Sequence, residues 1–170
     1  ALKKHFFLKS KFDLDTNNFN EAKINLKIQQ TSDDDYLKVY KLKSPLIESV
    51  NSLHSSINLN INREDLEIEV TTEAYENLNL INNDRYEYVY PSFSILKNIS
   101  GFETGNLTLK TSGMNKQFNT NVHEKTLINN LNYKSYNKIS TLGLVSNYEL
   151  LLKNFNANSK RSSTYKNEGE

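Results

Sequence analysis

The chain has no cysteine and no tryptophan, only two prolines and five glycines, and no long apolar run. Each shortage excludes something. Without Cys there is no disulfide framework, no thiol nucleophile and no zinc–thiolate site. No stretch approaches the roughly 18 consecutive apolar residues of a membrane helix. The N-terminus lacks the basic-then-apolar build of a signal peptide. With 21 basic and 20 acidic side chains the net charge is +1, which argues against a partner held by bulk charge, such as nucleic acid. No Gly-rich phosphate loop is present. The composition is 36% hydrophobic with a mean hydropathy of −0.67, lean for a compact soluble core.

Other residues are abundant. There are 26 Asn, ten Tyr and eight Phe among 170 residues. Asn, Lys, Ile and Tyr are enriched together by AT-rich codons. Polar tracts of this kind can also be disordered. The near-zero charge, the aromatics and the regular apolar spacing argue for a folded chain. The length suits one domain or a piece of a larger one. The start at Ala1 and the polar stretch from Lys160 to Glu170 are read as an excerpt of a longer polypeptide.

The dominant period is two. Ala22, Ile24, Leu26 and Ile28 alternate with Lys23, Asn25 and Lys27. Ile57, Leu59 and Ile61 alternate with Asn58 and Asn60; Leu66, Ile68 and Val70 alternate with Glu67 and Glu69. Leu142, Leu144, Ser146, Tyr148, Leu150 and Leu152 share the same spacing. Successive strand side chains point to opposite faces, so each run has one apolar and one polar face. Asn62–Asp65, Asn82–Asp84 and Ser100–Gly105 carry turn chemistry, and Pro45 and Pro91 suit an edge, a strand start or a bulge. The pattern predicts an all-β, antiparallel meander of about nine long strands. They run over about 4–14, 20–31, 36–43, 51–62, 65–77, 86–97, 105–116, 125–136 and 139–153, with a polar loop or partial strand over 154–170.

Many runs reach ten residues, where soluble strands more often have about five or six. A strand tilted across a bilayer needs roughly 9–11. Phe6, Phe7, Phe12, Tyr36, Tyr40, Tyr86, Tyr88, Tyr90 and Phe93 gather near strand ends, as interfacial girdles do. One architecture is therefore part of a large outer-membrane barrel, its apolar face on lipid. The lipid-facing candidates are then Ala22, Ile24, Leu26, Ile28, Ile57, Leu59, Ile61, Leu66, Ile68, Val70, Leu142 and Leu144. A soluble or surface-exposed β-sandwich, such as an adhesin module, gives the same alternation. A porin or receptor barrel is a third possibility.

Three stretches resemble one family. They are Lys11–Asp15 with Ala22–Gln30; the loop Ser32-Asp33-Asp34-Asp35-Tyr36-Leu37-Lys38-Val39-Tyr40; and Tyr88-Val89-Tyr90-Pro91-Ser92-Phe93-Ser94. Together with the hairpin Leu53–Leu78 and the turn Gly101–Gly105, they are similar to the barrel of the LPS-assembly family (LptD, also called organic solvent tolerance protein OstA). The likeness covers about residues 4–155, is nearest to alphaproteobacterial forms, and matches a mid-barrel segment. The family's periplasmic jellyroll and the Cys residues linking its two domains have no counterpart in these residues. The resemblance implies a place in the bacterial outer membrane and a non-enzymatic role. The family inserts lipopolysaccharide into the outer leaflet, with an LptE-type lipoprotein plug inside the barrel and periplasmic Lpt bridge components as further partners. It implies no cofactor.

Sites of chemistry are weak. His5, His54 and His123 are scattered, where a metal needs at least three converging ligands. Asp33–Asp35 lacks the spacing of a calcium loop. Glu64, Asp65, Glu67 and Glu69 alternate on one strand edge without a pocket. Lys9, Lys11, Lys23 and Lys27 suit a wet strand face or a phosphate contact. The sequons at Asn98 and Asn106 are short enough to arise by chance.

Overall fold

A computed structural model describes residues 3–42, 44–81, 85–118 and 122–161. The elements in chain order are β1 (His5–Asp13), β2 (Glu21–Thr31), α1 (Tyr36–Tyr40), β3 (Ser52–Arg63), β4 (Leu66–Asn77), β5 (Tyr86–Phe102), β6 (Gly105–Phe118), β7 (Val122–Ser135), β8 (Lys138–Ile139), β9 (Val145–Ser146) and β10 (Glu149–Lys160). Eight of these strands make one antiparallel meander, β1-β2-β3-β4-β5-β6-β7-β10, and β8 and β9 form a separate two-stranded hairpin. The all-β meander expected from the alternation is present. The turn expected at Asn82–Asp84 and most of the polar tail lie outside the described residues.

Two expected strands are corrected. Residues 36–43 begin with helix α1 instead. Asp33 accepts a hydrogen bond from the Asp35 N–H at 3.1 Å, and its carbonyl accepts from the Tyr36 N–H at 3.2 Å. That Asx-type turn starts a helical turn. Tyr36 and Tyr40, four residues apart, then pack against each other with centroids 4.8 Å apart and ring planes tilted by 36°. The run 139–153 is not one strand either. Gly143 takes φ +78, and the Ser140 N–H donates to the Leu144 carbonyl at 2.9 Å, which folds the chain back as the β8–β9 hairpin. Leu142 and Leu144 sit on that hairpin, off the main sheet, with Leu142 86% exposed. Only from Glu149 does the chain rejoin the sheet, and residues 154–160, expected as a loop or partial strand, complete β10.

The sheet is one layer thick. Each strand packs on its sheet neighbours, and β1 and β10 stand apart at the two edges. The chain exposes 12085 Å² of surface, where a folded monomer of 19.7 kDa would expose roughly 8,600 Å². Its largest buried cluster is small: Tyr36, Leu37, Leu53 and Leu78, with Phe7, Leu42 and Ile47 against it. It lies where residues 32–42 and 44–51 meet Leu78, at the end of the sheet that we call the loop rim. The opposite, turn rim carries the connections 14–20, 64–65, 103–104 and 136–148. Pro91 sits in a bulge of β5, where the pairing with β6 slips between Val89 and Ser92, as a residue without an N–H requires.

Candidate functional site: a polar strand face beneath a folded rim

Residues directly opposite each other in an antiparallel pair share a face. Ile24 lies opposite Leu59 and Leu59 opposite Val70. Leu26 lies opposite Ile57, Ala22 opposite Ile61, and Ile61 opposite Ile68. Ile28 lies opposite Leu8, and Leu66 stands two residues before Ile68 and so shares its face. Ten of the twelve candidate apolar residues are therefore brought onto one face, and only Leu142 and Leu144 are not.

The other face is wet. Asn25 donates to Asn58 Oδ1 at 3.2 Å; Asn58 donates to Thr71 Oγ1 at 2.7 Å and to Glu69 Oε1 at 3.2 Å. Lys116 pairs with Glu87 at 2.8 Å. Glu21, Lys23, Asn60, Glu67, Glu69 and Lys110 line a shallow groove near the turn rim. The polarity fades toward β10, where Leu151 and Phe155 stand exposed on this face.

Near the loop rim residues 44–51 fold over the polar face. Lys27 Nζ lies 2.6 Å from Glu48 and 3.3 Å from His54 Nδ1. The Lys27 ammonium beside Glu48 holds that carboxyl below its ordinary value. An ammonium can only donate, so His54 Nδ1 accepts, and its Nε2–H donates to Glu73 Oε1 at 3.0 Å. The Tyr75 hydroxyl donates to the same oxygen at 2.9 Å, and its ring stacks on His54 at 4.3 Å. Buried Gln29 accepts the His54 backbone N–H at 2.8 Å and donates to the Leu46 carbonyl. Arg85 ties the rim together, reaching Asp34 at 2.7 Å and Glu76 at 2.5 Å.

The loop that carried the family resemblance is part of this rim. Ser32, Asp33, Asp34 and Asp35 form its turn, and Tyr36, Leu37 and Tyr40 its helix. The three carboxylates are matched by cations: Asp33 with Lys3 at 3.1 Å, Asp34 with Arg85, and Asp35 with Lys38 at 3.5 Å. Among the described residues no three His, Asp or Glu converge as a metal site. Asp65 is held well below the ordinary carboxylate range by Arg63 and Lys97. Sequence reasoning missed Gln29, Glu48 and Arg85, because their partners come from other strands and connections and follow no period.

In the comparisons with known proteins, no family model, no curated protein and no solved structure matches the chain. The polar face of the sheet offers Asn amides and paired Lys and Glu groups. No helix among the described residues is long and apolar enough to cross a membrane.

Proposed function

We propose that the chain is part of an outer-membrane β-barrel of the LPS-assembly type, which carries lipopolysaccharide through a polar lumen without enzymatic chemistry. One observation carries the barrel reading. Ile24, Leu26, Ile57, Leu59, Ile68 and Val70, from three strands, share one face of a sheet that is a single layer. Such a face is stable against an apolar medium and unstable against water. Strands of 9 to 17 residues are long enough to cross the hydrocarbon when tilted. The opposite face would border the water-filled interior, which explains the low mean hydropathy. The lipopolysaccharide assignment and an LptE-type plug rest on the likeness at Ser32–Tyr40 and Tyr88–Ser94.

Depletion of the full-length protein in its host tests the transport role. Newly made lipopolysaccharide at the cell surface is expected to fall several-fold and to collect on the inner side of the envelope. Undiminished surface delivery, with the protein gone, would reject it.

A further inference from the structure

The apolar face is not apolar everywhere, and its pattern is a diagonal. A line of directly opposed residues marks the direction perpendicular to the strands. One line joins Phe12, Ile24, Leu59, Val70 and Phe93, continues through Gly113 and Leu127, and ends at Asn156 on β10. On the next line toward the turn rim, Ile61, Ile68 and Ile95 run on into Thr111, Asn129 and Asn154. The line after that has its charges toward β3 and its leucines toward β10: Arg63, Leu66 and Lys97 run on into Leu109, Leu131 and Leu152.

The apolar boundary toward the loop rim thus steps down across the sheet, through Phe6, Ile28, Ile57, Val70, Leu109 and Leu152. Beyond it on the same face stand Leu127, between Lys125 and Asn129, Ala74, and Tyr88 and Tyr86 of β5, opposite Ala74 and Glu76, aromatic residues with a polar tip that suit the edge of a belt; Leu53 belongs to the rim core. From β1 to β10 the boundary drops by about ten residues, roughly 33 Å, across seven strand spacings of about 4.8 Å. That is a slope of about 45°, and the centre of the band descends at about 35°. Strands in outer-membrane barrels tilt by about 35–45°. A flat band of lipid crossing tilted strands leaves this diagonal; a second sheet leaves one only when it packs across the strands at a comparable angle.

The direction agrees too. The Leu78 N–H donates to the Asn51 carbonyl, so apolar-face residues of β4 turn their backbone groups toward β3. For L-residues on a strand rising to the loop rim, this puts β3 to the right of β4, seen from the apolar face. The band therefore climbs from β10 on the left to β1 on the right. Strands that coil right-handedly, as their twist dictates, lean rightward seen from outside, and a level belt across them climbs the same way.

We infer that the apolar face is a bilayer belt crossed by the strands at about 40°, and that its loop-rim portion on β6, β7 and β10 stands outside the hydrocarbon. The inference rests on the barrel reading and adds its orientation. Asn129, Asn154, Asn156 and Asn158, which would be misplaced on a uniform lipid face, become exposed to water.

Single nitroxide-labelled cysteines at Ile57, Ile61, Leu152 and Asn154 test it, in the full-length protein without other cysteines, folded into phosphatidylcholine vesicles. Collision with oxygen and with an aqueous nickel chelate reads depth. Ile61 and Asn154 share a line, yet Asn154 should lie about 15 Å nearer the aqueous phase, given five strand spacings and that tilt. Ile57 and Leu152, six residues apart in register, should lie at equal depth. If instead Ile61 and Asn154 are level in lipid and Ile57 and Leu152 differ, the tilt is overturned and the barrel reading stands. If all four meet the nickel chelate as water-exposed sites, both fall.

Discussion

Leu37→Ala isolates the loop rim from the sheet. Leu37 is 2% exposed and packs in the cluster with Tyr36, Leu53 and Leu78. Truncating a buried Leu to Ala costs about 2.7–5 kcal/mol, depending on how far the site collapses. A cluster this small, bounded by a surface connection, relaxes easily, so the lower end applies: about 3 kcal/mol, or on the order of a hundredfold in an opening equilibrium. The strands beneath are held by their own ladders, so the loss should stay local. Hydrogen exchange in detergent or vesicles reads this directly. The amides of Val39 and Lys41, bonded to Asp35 and Leu37 carbonyls at 2.9 and 3.2 Å, should exchange on the order of a hundredfold faster. Central amides of β3 to β6 should not change. Equal acceleration through the sheet would refute the separation of rim and sheet, and unchanged exchange at Val39 and Lys41 would refute the packing role of Leu37.

Three further outcomes follow from single positions, and one from the whole sheet. Ile68→Arg puts a charge on the apolar face and should lower stability in vesicles by about 2–4 kcal/mol; Glu69→Gln, on the polar face, should cost under about 1 kcal/mol, and equal penalties in a urea titration would contradict the facing. Gly113→Ala should destabilise, because a Cβ there would meet Phe93 Cε1 at 2.6 Å; Phe93→Leu in the same chain should recover part of the loss, as read by the unfolding midpoint. Asp65 has its folded pKa depressed below the ordinary 3.8 by Arg63 and Lys97, so its contribution is full above that value and lost as pH falls through the folded value. Asp65→Asn should therefore be less stable than the parent at neutral pH, with the two melting curves converging in strong acid. Finally, these 170 residues alone in detergent-free buffer should associate, since both edge strands and the apolar face are uncovered; a monomer that melts cooperatively by calorimetry would contradict that.

Much of the sheet was legible from alternation alone. Ala22–Ile28, Ile57–Ile61 and Leu66–Val70 lie in strands, facing as the period of two requires, because a one-sided strand writes its faces into every second residue. Where the sequence misled, local chemistry overrode the period. Tyr36-Leu37-Lys38-Val39-Tyr40 has strand-forming residues, but the Asp33 turn before it starts a helix. Leu142 and Leu144 keep the spacing of a strand, yet Gly143 between them turns the chain. The rim network was invisible, because a contact such as Arg85 with Asp34 joins residues 51 apart. The diagonal of the apolar band was hidden for a related reason: each strand shows only its own apolar segment, and the slope exists once register aligns all eight.

The low mean hydropathy and the exposed Leu, Ile and Phe side chains have one physical origin in this arrangement. A two-layer protein covers each apolar face with another, so its apolar residues serve two layers at once and its surface is polar on both sides. A single layer has no such partner. Its apolar side chains must be met by something outside the chain, and its second face must be polar enough to stand in water unaided. Asn58, with one side chain bridging Asn25, Glu69 and Thr71 across three strands, fits the second requirement. Asn on the outward face of β10 does not fit the first, unless the belt it would interrupt passes below it. On the barrel reading proposed above, the placement of Asn154, Asn156 and Asn158 is the detail that the tilt accounts for, since it leaves room for amides on the apolar face of β10 while Phe6 stays within the belt on β1.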